Sequence, residues 1–383
     1  MTYTNTSESP FHVVIAGGGV AGLEALLALH ELGADRFDIT LIAPNPDFVY
    51  RPMVVLEPFA YGAAQRASIE DIVEHVGADL VVDGFAWLNA SERTVHTDAG
   101  ESIAYDALIL AVGGHPCPRY QHAITIDDRR LDETLHGLIQ DVEGGYVRRL
   151  AFVVPPRMAW PLPTYELALM TSRRAYDMNI ELEVTIVTPE DTPLAIFGDG
   201  ASVGVSEILA DAGITVIPSA YCEVPDSRHV VISPGERRLE VDRVVALPEL
   251  YGPAVRGLPS AEHGFIPVDP HCQVRGVERV YAAGDATDFA LKYGGISAQQ
   301  ADTAVRAIAA LSGLPIEPTV FRPVIHGILL TGAAPRYLSA QITGGQGFSS
   351  RITTEPTWTP PRKIAANYLA PYLEDRERVG GAR

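Results

Sequence analysis

The feature that most constrains the fold is a run of glycines placed directly between a buried strand and a helix. Residues 11–16 are a largely apolar run, typical of a strand covered on both faces, and residues 23–32 have the pattern of a helix. Between them Gly17, Gly19 and Gly22 form a G-x-G-x-x-G motif. The first glycine allows a tight turn, the second lets a pyrophosphate approach the backbone, and the third lets helix and strand pack closely. The motif therefore predicts a dinucleotide bound at the N-terminus of this helix.

The same strand–helix–strand pattern recurs along the chain. A strand at 38–42 completes the first βαβ unit, and a second βαβ pattern occupies residues 150–187. Short apolar runs at 230–232 and 244–247 resemble the β-meander that closes such a domain. The chain then returns to a buried strand and a long helix within residues 279–311.

One nucleotide fold inserted into another explains this order. We predict an α/β protein with two Rossmann-like, doubly wound domains, the first of them discontinuous, plus a C-terminal segment. The predicted boundaries are 1–115 and 262–320 for the first domain, 116–261 for the second, and 321–383 for the C-terminal segment.

The charge and hydropathy of the chain limit the classes of partner that it is expected to bind. The chain has 29 basic and 48 acidic residues, a net charge of −19, which disfavours nucleic acid and anionic lipid. No run approaches the ~20 apolar residues that a membrane helix needs, and residues 1–10 lack secretory-signal features, so we expect a cytoplasmic protein without an integral membrane segment. Residues 321–383 hold eight Lys/Arg and four Asp/Glu, a local +4. This segment is expected either to pack on its own acidic body or to form a docking surface, for example in a homodimer.

The three cysteines are too few and too scattered for a disulfide framework. Cys117, Cys222 and Cys272 form no C-x-x-C pair, so neither structural zinc nor a local dithiol is expected, and no metal site is predicted. Cys117 follows the strand that ends near Gly113, which makes a catalytic thiol conceivable, although a buried inert cysteine is the favoured interpretation.

Further motifs resemble those of the two-dinucleotide-binding-domain flavoproteins, the pyridine nucleotide-disulfide oxidoreductase superfamily. The resemblance covers nearly the whole chain, and the motifs that carry it, with the glycine turn, are residues 105–106, 110–114 and 280–285. Within that superfamily the chain is similar to the branch of sulfide:quinone oxidoreductases and type II NADH dehydrogenases, on the motifs at 292–295, 299–302, 321–323 and 329–332.

The resemblance implies FAD as the cofactor. Its pyrophosphate would lie on Gly17, Gly19 and Gly22, and Asp285, with Gly284 before it, would bind the ribityl hydroxyls. The other positions that match cofactor-binding residues are Arg51, Ala86, Gly113, Gly295 and Ile296. Lys292 matches a lysine near the reacting ring, whose charge favours the anionic reduced flavin.

Three departures from the family pattern bear on the electron donor. The acid expected about 20 residues after the last glycine is replaced by Ala43, so the backbone or Asn45 is expected to hold the ribose. Where an NAD(P)H-binding loop needs glycines, residues 155–163 contain four prolines and no glycine, and Glu190 is expected to be a surface charge. The two redox cysteines of sulfide:quinone oxidoreductases are also missing, because residues 321–383 contain no cysteine.

Several residues beside the expected flavin are candidates for chemistry. Glu166, in the first turn of the second domain's first helix, matches a glutamate that in related enzymes lies near the flavin and the quinone or nicotinamide. The resemblance implies a proton carrier there, although an acid in a first turn is also ordinary helix-dipole chemistry. Trp160 and Tyr165 flank it and are candidates for a wall over the isoalloxazine, and His326 is a further substrate-site candidate.

The sequence thus favours an FAD-dependent oxidoreductase. In it an unidentified small-molecule donor reduces the flavin at N5, and a quinone-like or protein acceptor reoxidises it. Two alternatives stay open: a sulfide:quinone or NAD(P)H:quinone oxidoreductase, and a non-catalytic FAD-binding redox partner. Anaerobic bleaching of the flavin by NADH, NADPH or sulfide separates these hypotheses.

Overall fold

The computed structural model describes residues 10–344 and 347–380. In chain order the strands are β1 Phe11–Ala16, β2 Phe37–Ile42, β3 Asp47–Val49, β4 Arg66–Ser68, β5 Asp79–Val81, β6 Phe85–Asn89, β7 Thr94–Thr97, β8 Ser102–Ala104, β9 Ala107–Leu110, β10 His115–Cys117, β11 Ile124–Thr125, β12 Arg149–Val153, β13 Glu183–Val187, β14 Ile214–Ile217, β15 Tyr221–Asp226, β16 His229–Ser233, β17 Arg237–Glu240, β18 Arg243–Ala246, β19 Glu249–Tyr251, β20 Val280–Ala282, β21 Val324–Leu329, β22 Arg336–Gly344 and β23 Gly347–Thr353. The α-helices are α1 Val20–Gly33, α2 Ile69–Val76, α3 Leu131–Glu143, α4 Leu162–Asp177, α5 Asp199–Asp211, α6 Gly294–Leu311 and α7 Leu369–Gly380. Short 3₁₀ helices span Arg51–Phe59, Ala195–Phe197, Glu262–Gly264 and Gly284–Ala286.

The first nucleotide fold is a parallel sheet with the strand order β20-β9-β1-β2-β5. Its central strands are buried on both faces, as their apolar sequences predict, and every residue of β9 is fully buried. Helices α1 and α6 pack together on one side of this sheet. Their buried alanines, among them Ala25, Ala28, Ala301 and Ala304, allow a close approach of the two helices.

The second nucleotide fold is another parallel sheet, with the order β11-β18-β12-β13-β14. The β-meander consists of β15, β16 and β17. The prediction that residues 244–247 belong to the meander is therefore wrong. Strand β18 lies inside the parallel sheet because Val244, Val245 and Ala246 are apolar on both faces and are buried there.

These two sheets confirm the predicted α/β fold with two Rossmann-like domains. The chain leaves the first sheet after β9 and returns to it at β20, so the first nucleotide fold is discontinuous. Strands β10 and β19 pair with each other where the chain enters and leaves the second fold. The domain boundaries themselves stay a prediction.

The C-terminal segment packs on the body of its own chain. Strands β21, β22 and β23 form an antiparallel sheet, and residues 358–368, which we call the strap, lead to α7. In the strap the ammonium group of Lys363 donates to the carbonyl of Pro52 at 3.0 Å, and the backbone N–H of Ile364 donates to the hydroxyl of Tyr50 at 2.7 Å. Self-packing was one of the two expectations for this segment, whereas the homodimer stays a prediction. Within the described ranges, no helix combines the length and apolarity needed to cross a membrane.

Candidate cofactor and redox site

The glycine turn leaves one open position at the start of α1. Gly17 has φ +120°, and a Cβ there would lie 2.2 Å from the carbonyl oxygen of Ala111, while a Cβ at Gly22 would lie 1.8 Å from the carbonyl oxygen of Gly17. A Cβ at Gly19, by contrast, would have no described atom within 4 Å. Gly19 is the N-cap of α1 and has no side chain with which to cap it. The turn therefore offers helix N–H groups and open space together, which suits a pyrophosphate.

Ala43, which stands where a ribose-binding acid is expected, is packed in the interior. Ala43 is buried, and its N–H donates to the carbonyl of Val81 at 3.0 Å. Its methyl group lies where a Cβ at Gly18 would approach it to 2.9 Å. Of the two expected ribose contacts, the backbone N–H of Ala43 is thus already bonded, whereas the side chain of Asn45 is exposed.

Asp285 carries an orphaned carboxylate oxygen at the same edge of the sheet. Strands β1, β9 and β20 are adjacent and parallel, so Gly17, Gly113 and Asp285 all follow the carboxyl ends of neighbouring strands. The Oδ1 atom of Asp285 is shielded from solvent and has no hydrogen-bond partner in the described chain. Burial raises the pKa of Asp285 to about 6, with the positive charge of Lys292 acting against that rise. This geometry fits a ligand that donates hydroxyl hydrogens into the crevice.

Lys292 is buried between the two nucleotide folds and is not a solvated surface lysine. Its ammonium group donates to the carbonyl of Thr287 and lies 4.0 Å from the centre of the Phe265 ring. Burial lowers the pKa of Lys292 to about 8, and the charge of Asp285 opposes this change. Its backbone N–H donates to the carbonyl of Ala159 in the second fold at 3.2 Å.

The proline-rich loop of the second fold lies against the start of α6. The Trp160 ring stacks on Tyr293, the N-cap residue of α6, at 4.0 Å and an interplanar angle of 13°. Gly295 and Ile296, in the first turn of α6, are both buried. On the other side of the loop, Arg157 forms a 2.6 Å ion pair with Glu249. The loop therefore binds to its neighbours with side chains instead of presenting backbone N–H groups.

Glu190 and Tyr165 are core residues. Both are buried, and the Tyr165 hydroxyl donates to Glu190 Oε2 at 2.6 Å, while the Thr188 hydroxyl donates to the same oxygen at 3.0 Å. The expectation that Glu190 is a surface charge is therefore wrong: Tyr165 and Thr188 compensate the burial of its Oε2, and its buried Oε1 has no hydrogen-bond partner among the described residues. Tyr165 is fully buried and its hydroxyl is bonded to Glu190, whereas the Trp160 ring stacks on Tyr293.

Glu166 forms a buried ion pair that sequence analysis missed. Its Oε1 accepts from the ammonium group of Lys363 at 2.6 Å and from the backbone N–H of Leu330 at 3.0 Å. The side chains are 1% and 5% exposed. Burial raises the pKa of Glu166, and the charge of Lys363 opposes the rise. Burial likewise lowers the pKa of Lys363, against the charge of Glu166.

Lysine usage is the sequence signal by which Lys363 could have been found. The chain contains 29 Lys and Arg residues but only two lysines, Lys292 and Lys363. Both are buried, and each faces a carboxylate, Asp285 or Glu166. A chain that uses arginine for every other cation and lysine at two positions marks those positions as unusual.

His326 joins the same aromatic cluster through Tyr293. Its backbone N–H donates to the Tyr293 hydroxyl at 3.2 Å, and its ring lies 4.6 Å from that of Trp358 in the strap. Burial lowers the pKa of His326. Its Nδ1 is buried and lacks a hydrogen-bond partner within the described residues.

The remaining candidates lie nearer the surface. Arg51 forms a 3.0 Å ion pair with Asp128, both about half exposed, and Ala86 is exposed in β6. Cys117 is exposed in β10 opposite Glu249, so the favoured interpretation of a buried cysteine is wrong for it, whereas Cys222 and Cys272 are buried. All three cysteines are free, and the described residues contain no cluster of three or more His, Cys, Asp or Glu suited to a metal ion.

Comparison with known proteins yields a family and a fold. A family model described as pyridine nucleotide-disulphide oxidoreductase matches residues 11–136 and 165–310. An NADH dehydrogenase-like protein of Mycobacterium tuberculosis is 25% identical over 291 residues, 71% of this chain and 72% of that protein. The structure of the sulfide:quinone oxidoreductase of Aquifex aeolicus has a TM-score of 0.82 and 18% identity, covering 96% of this chain and 90% of that one.

Other curated relatives match over a shorter segment. The NADH nitrite reductase large subunit of Escherichia coli is 31% identical over 114 residues, and the mitochondrial sulfide:quinone oxidoreductase of Mus musculus is 27% identical over 112 residues. Each match covers 28% of this chain, but only 13% and 24% of the two relatives.

The buried ion pair predicts a specific pattern of stabilities. Lys363→Met leaves the Glu166 carboxyl buried without its cation, and we expect the free energy of unfolding at pH 7 to fall by about 3–5 kcal/mol. The double variant Lys363→Met with Glu166→Gln removes both charges and is expected to recover most of this loss. Urea denaturation measures both effects. An equal loss in the single and the double variant would contradict an ion pair between these side chains.

Proposed function

Because the chain belongs to the pyridine nucleotide-disulphide oxidoreductase family and has the fold of its flavin-dependent oxidoreductases, we propose that its cofactor is FAD. We further propose a small-molecule electron donor other than NAD(P)H and a quinone-like or protein acceptor. The observation that carries the cofactor proposal is the meeting of Gly19, Gly113 and Asp285 at one edge of a parallel sheet, with open space at the first two and an orphaned oxygen at the third.

Each part of FAD has a matching group in this proposal. Gly17, Gly19 and Gly22 hold the pyrophosphate, Asp285 beside Gly284 binds the ribityl chain, and the first turn of α6 at Gly295 and Ile296 faces the ring. Arg51, Ala86 and Gly113 complete the set of cofactor contacts. When bound, FAD supplies two-electron chemistry at its ring.

The two buried lysines supply charge and a proton in this scheme. Lys292, with the N-terminal end of the α6 dipole, holds positive charge beside the ring-binding turn. Glu166 and Lys363 share a proton between Oε1 and Nζ, so this pair is able to exchange a proton without moving a free charge through the interior. Trp160 and His326 border the same region, so we propose them as substrate contacts, and Cys117 is exposed in β10.

The donor proposal rests on the second nucleotide fold. Its loop at residues 154–161 has no glycine, and its side chains are engaged by Tyr293 and Glu249. Glu190, at the position of a ribose-binding acid, is bound to Tyr165. NAD(P)H would have to displace these contacts.

A quinone-reducing enzyme is the second candidate. The likeness in fold to a sulfide:quinone oxidoreductase over 96% of this chain favours it. Sulfide as the donor is disfavoured, because relay of sulfur needs two cysteines within reach of each other, and two of the three are buried and free. A non-catalytic redox partner is the third hypothesis.

Anaerobic mixing of the flavin-loaded protein with NADH, NADPH and sulfide tests the donor proposal. We expect flavin absorbance to persist with both nucleotides, because the second fold lacks the loop that binds them. Rapid bleaching by NADH or NADPH contradicts the proposal and supports the NAD(P)H:quinone alternative. Bleaching by sulfide supports the sulfide:quinone alternative.

The cofactor proposal predicts a folded variant that loses FAD. Gly19→Ala is compatible with the backbone at this position, where φ is −86°, and its methyl group meets no described atom within 4 Å. We expect apo-protein stability to be unchanged but FAD affinity to fall at least about tenfold, equivalent to ~1.4 kcal/mol, because the methyl group occupies the space of the pyrophosphate. Fluorescence titration with FAD measures this effect. The matched control is Gly137→Ala in α3, where a Cβ is equally unhindered.

The charge on Lys292 predicts a change in redox potential. For Lys292→Met we expect the two-electron midpoint potential of the bound flavin at pH 7 to fall by at least about 30 mV, equivalent to ~1.4 kcal/mol, because the cation no longer stabilises the reduced form. The difference from wild type should shrink above pH 8, since the pKa of Lys292 is about 8 and wild type then loses the charge as well. Lys292→Arg, which keeps the charge, is the control. Unchanged potentials by spectroelectrochemistry would show that Lys292 has no electrostatic role.

A further inference from the structure

Two carboxyl groups meet beneath the start of α7. Glu24 of α1 is fully buried and accepts the backbone N–H groups of Asn367 at 2.6 Å, Tyr368 at 3.1 Å and Leu369 at 2.6 Å. Asp302 of α6 lies beside Glu24 and accepts from the side-chain amide of Asn367 at 2.5 Å, while its other oxygen, Oδ1, is buried and has no hydrogen-bond partner among the described residues. The carboxyl groups of two separate helices thus hold the end of the strap and the first turn of α7.

This arrangement favours one proton shared between the two carboxyl groups. Burial and the charge of Glu24 raise the pKa of Asp302 from 3.8 to about 8, with Arg306 opposing the rise. Burial also raises the pKa of Glu24, against the three N–H donors, which favour its ionised form. The buried Oδ1 of Asp302 has no described donor, and an ionised Asp302 would repel an ionised Glu24, so one of the two carboxyl groups keeps its proton. After undocking, both groups face water and take their ordinary pKa values.

The strap connects this carboxyl pair to the redox site. Six residues before Leu369, Lys363 pairs with Glu166 at 2.6 Å. The next residue, Ile364, is bonded to Tyr50 and lies against Gly294, where a Cβ would approach its Cδ1 to 2.7 Å. Gly294 is the first residue of α6. Release of the strap from Glu24 and Asp302 therefore loosens the cover over the N-terminal end of α6.

We propose that Glu24 and Asp302 form a proton-operated latch, which fastens α7 and the strap over the start of α6 while one proton is bound between them. The docked state binds one proton more than the undocked state. Docking of α7 and the strap is therefore strongest at low pH and weakens as the pH rises. The change extends from the ordinary pKa of an exposed aspartate, near 4, to about 8 for docked Asp302, and is complete above that value.

Other titratable groups near α7 need a control. The Tyr372 ring of α7 lies 5.3 Å from the His75 ring of α2 in a tilted arrangement, and the His30 ring of α1 lies 6.3 Å from that of His75. Arg376 of α7 donates to the Tyr372 hydroxyl at 3.0 Å. Glu31 and Arg306 act on Tyr368 in the strap, and Arg362 of the strap pairs with Glu377 of α7. His75, whose ring lies beside Tyr372 of α7, is therefore replaced in a control variant.

Hydrogen exchange on the full chain with its cofactor tests the latch. From pH 5 to 7.5 we expect the local opening constant of the α7 amides, corrected for intrinsic rates, to rise about tenfold per pH unit, and to level off above pH 8. Asp302→Asn keeps the contacts to Glu24 and Asn367 without the titrating group, so its opening constant should not vary with pH. Asp375→Asn on the exposed face of α7 and His75→Gln should behave as wild type.

Lysine labelling reports on the strap in the same samples. Because Lys292 and Lys363 are the only lysines, an amine-reactive reagent with mass spectrometry separates the two sites. At pH 8 we expect Lys363 to be labelled at least about tenfold faster in wild type than in Asp302→Asn, with Lys292 unchanged. Equal Lys363 labelling in both proteins overturns the coupling of the latch to the strap. Wild-type pH dependence that persists in Asp302→Asn, or disappears in His75→Gln, overturns the latch itself.

Discussion

The rest of the structure depends on close backbone contact at the turn between β1 and α1. A side chain at Gly17 would collide with the carbonyl of Ala111, the residue that follows β9, and a side chain at Gly22 would collide with the carbonyl of Gly17. Because these two positions carry no side chain, α1 packs closely on the sheet, and its N-terminus lies at the edge where the carboxyl ends of the parallel strands meet. The neighbouring strands β9 and β20 then deliver Gly113 and Asp285 to that edge, because parallel strands all end on the same side.

The C-terminal segment completes the site with a buried charge. Lys363 reaches from the strap to Glu166 in α4 and to the Pro52 carbonyl after β3. A buried ammonium group is costly to desolvate, so it is stable only where a carboxylate and a carbonyl meet it with good geometry. The pair therefore ties the two nucleotide folds and the tail into one arrangement, and its position in the interior rests on all three.

The second nucleotide fold keeps the architecture of a dinucleotide-binding domain, while its surface is used for internal contacts. Prolines replace the glycines of the phosphate loop, Trp160 stacks on Tyr293, and Glu190 is bound by Tyr165 and Thr188. The glycines that a phosphate loop needs are absent from the sequence, and one Glu190 oxygen is bonded to Tyr165 and Thr188, while its Oε1 has no hydrogen-bond partner among the described residues. In the present arrangement the domain supports α6 and the redox site from one side.

Local sequence determined the fold class and the sheet edge at which the candidate cofactor site lies. Some features depend only on residues close to them in the chain and can be predicted from the sequence. They are the apolar runs of β1, β9 and β12, the glycines of the first turn and the aspartate after β20. The tertiary structure alone decided that β18 joins a parallel sheet, that Glu190 and Tyr165 face the core, and that Glu166 meets Lys363 and Glu24 meets Asp302. These pairs lie between about 25 and 280 positions apart in the chain. Burial and charge pairing at such separations depend on how the domains and the tail pack, and no local pattern encodes that packing.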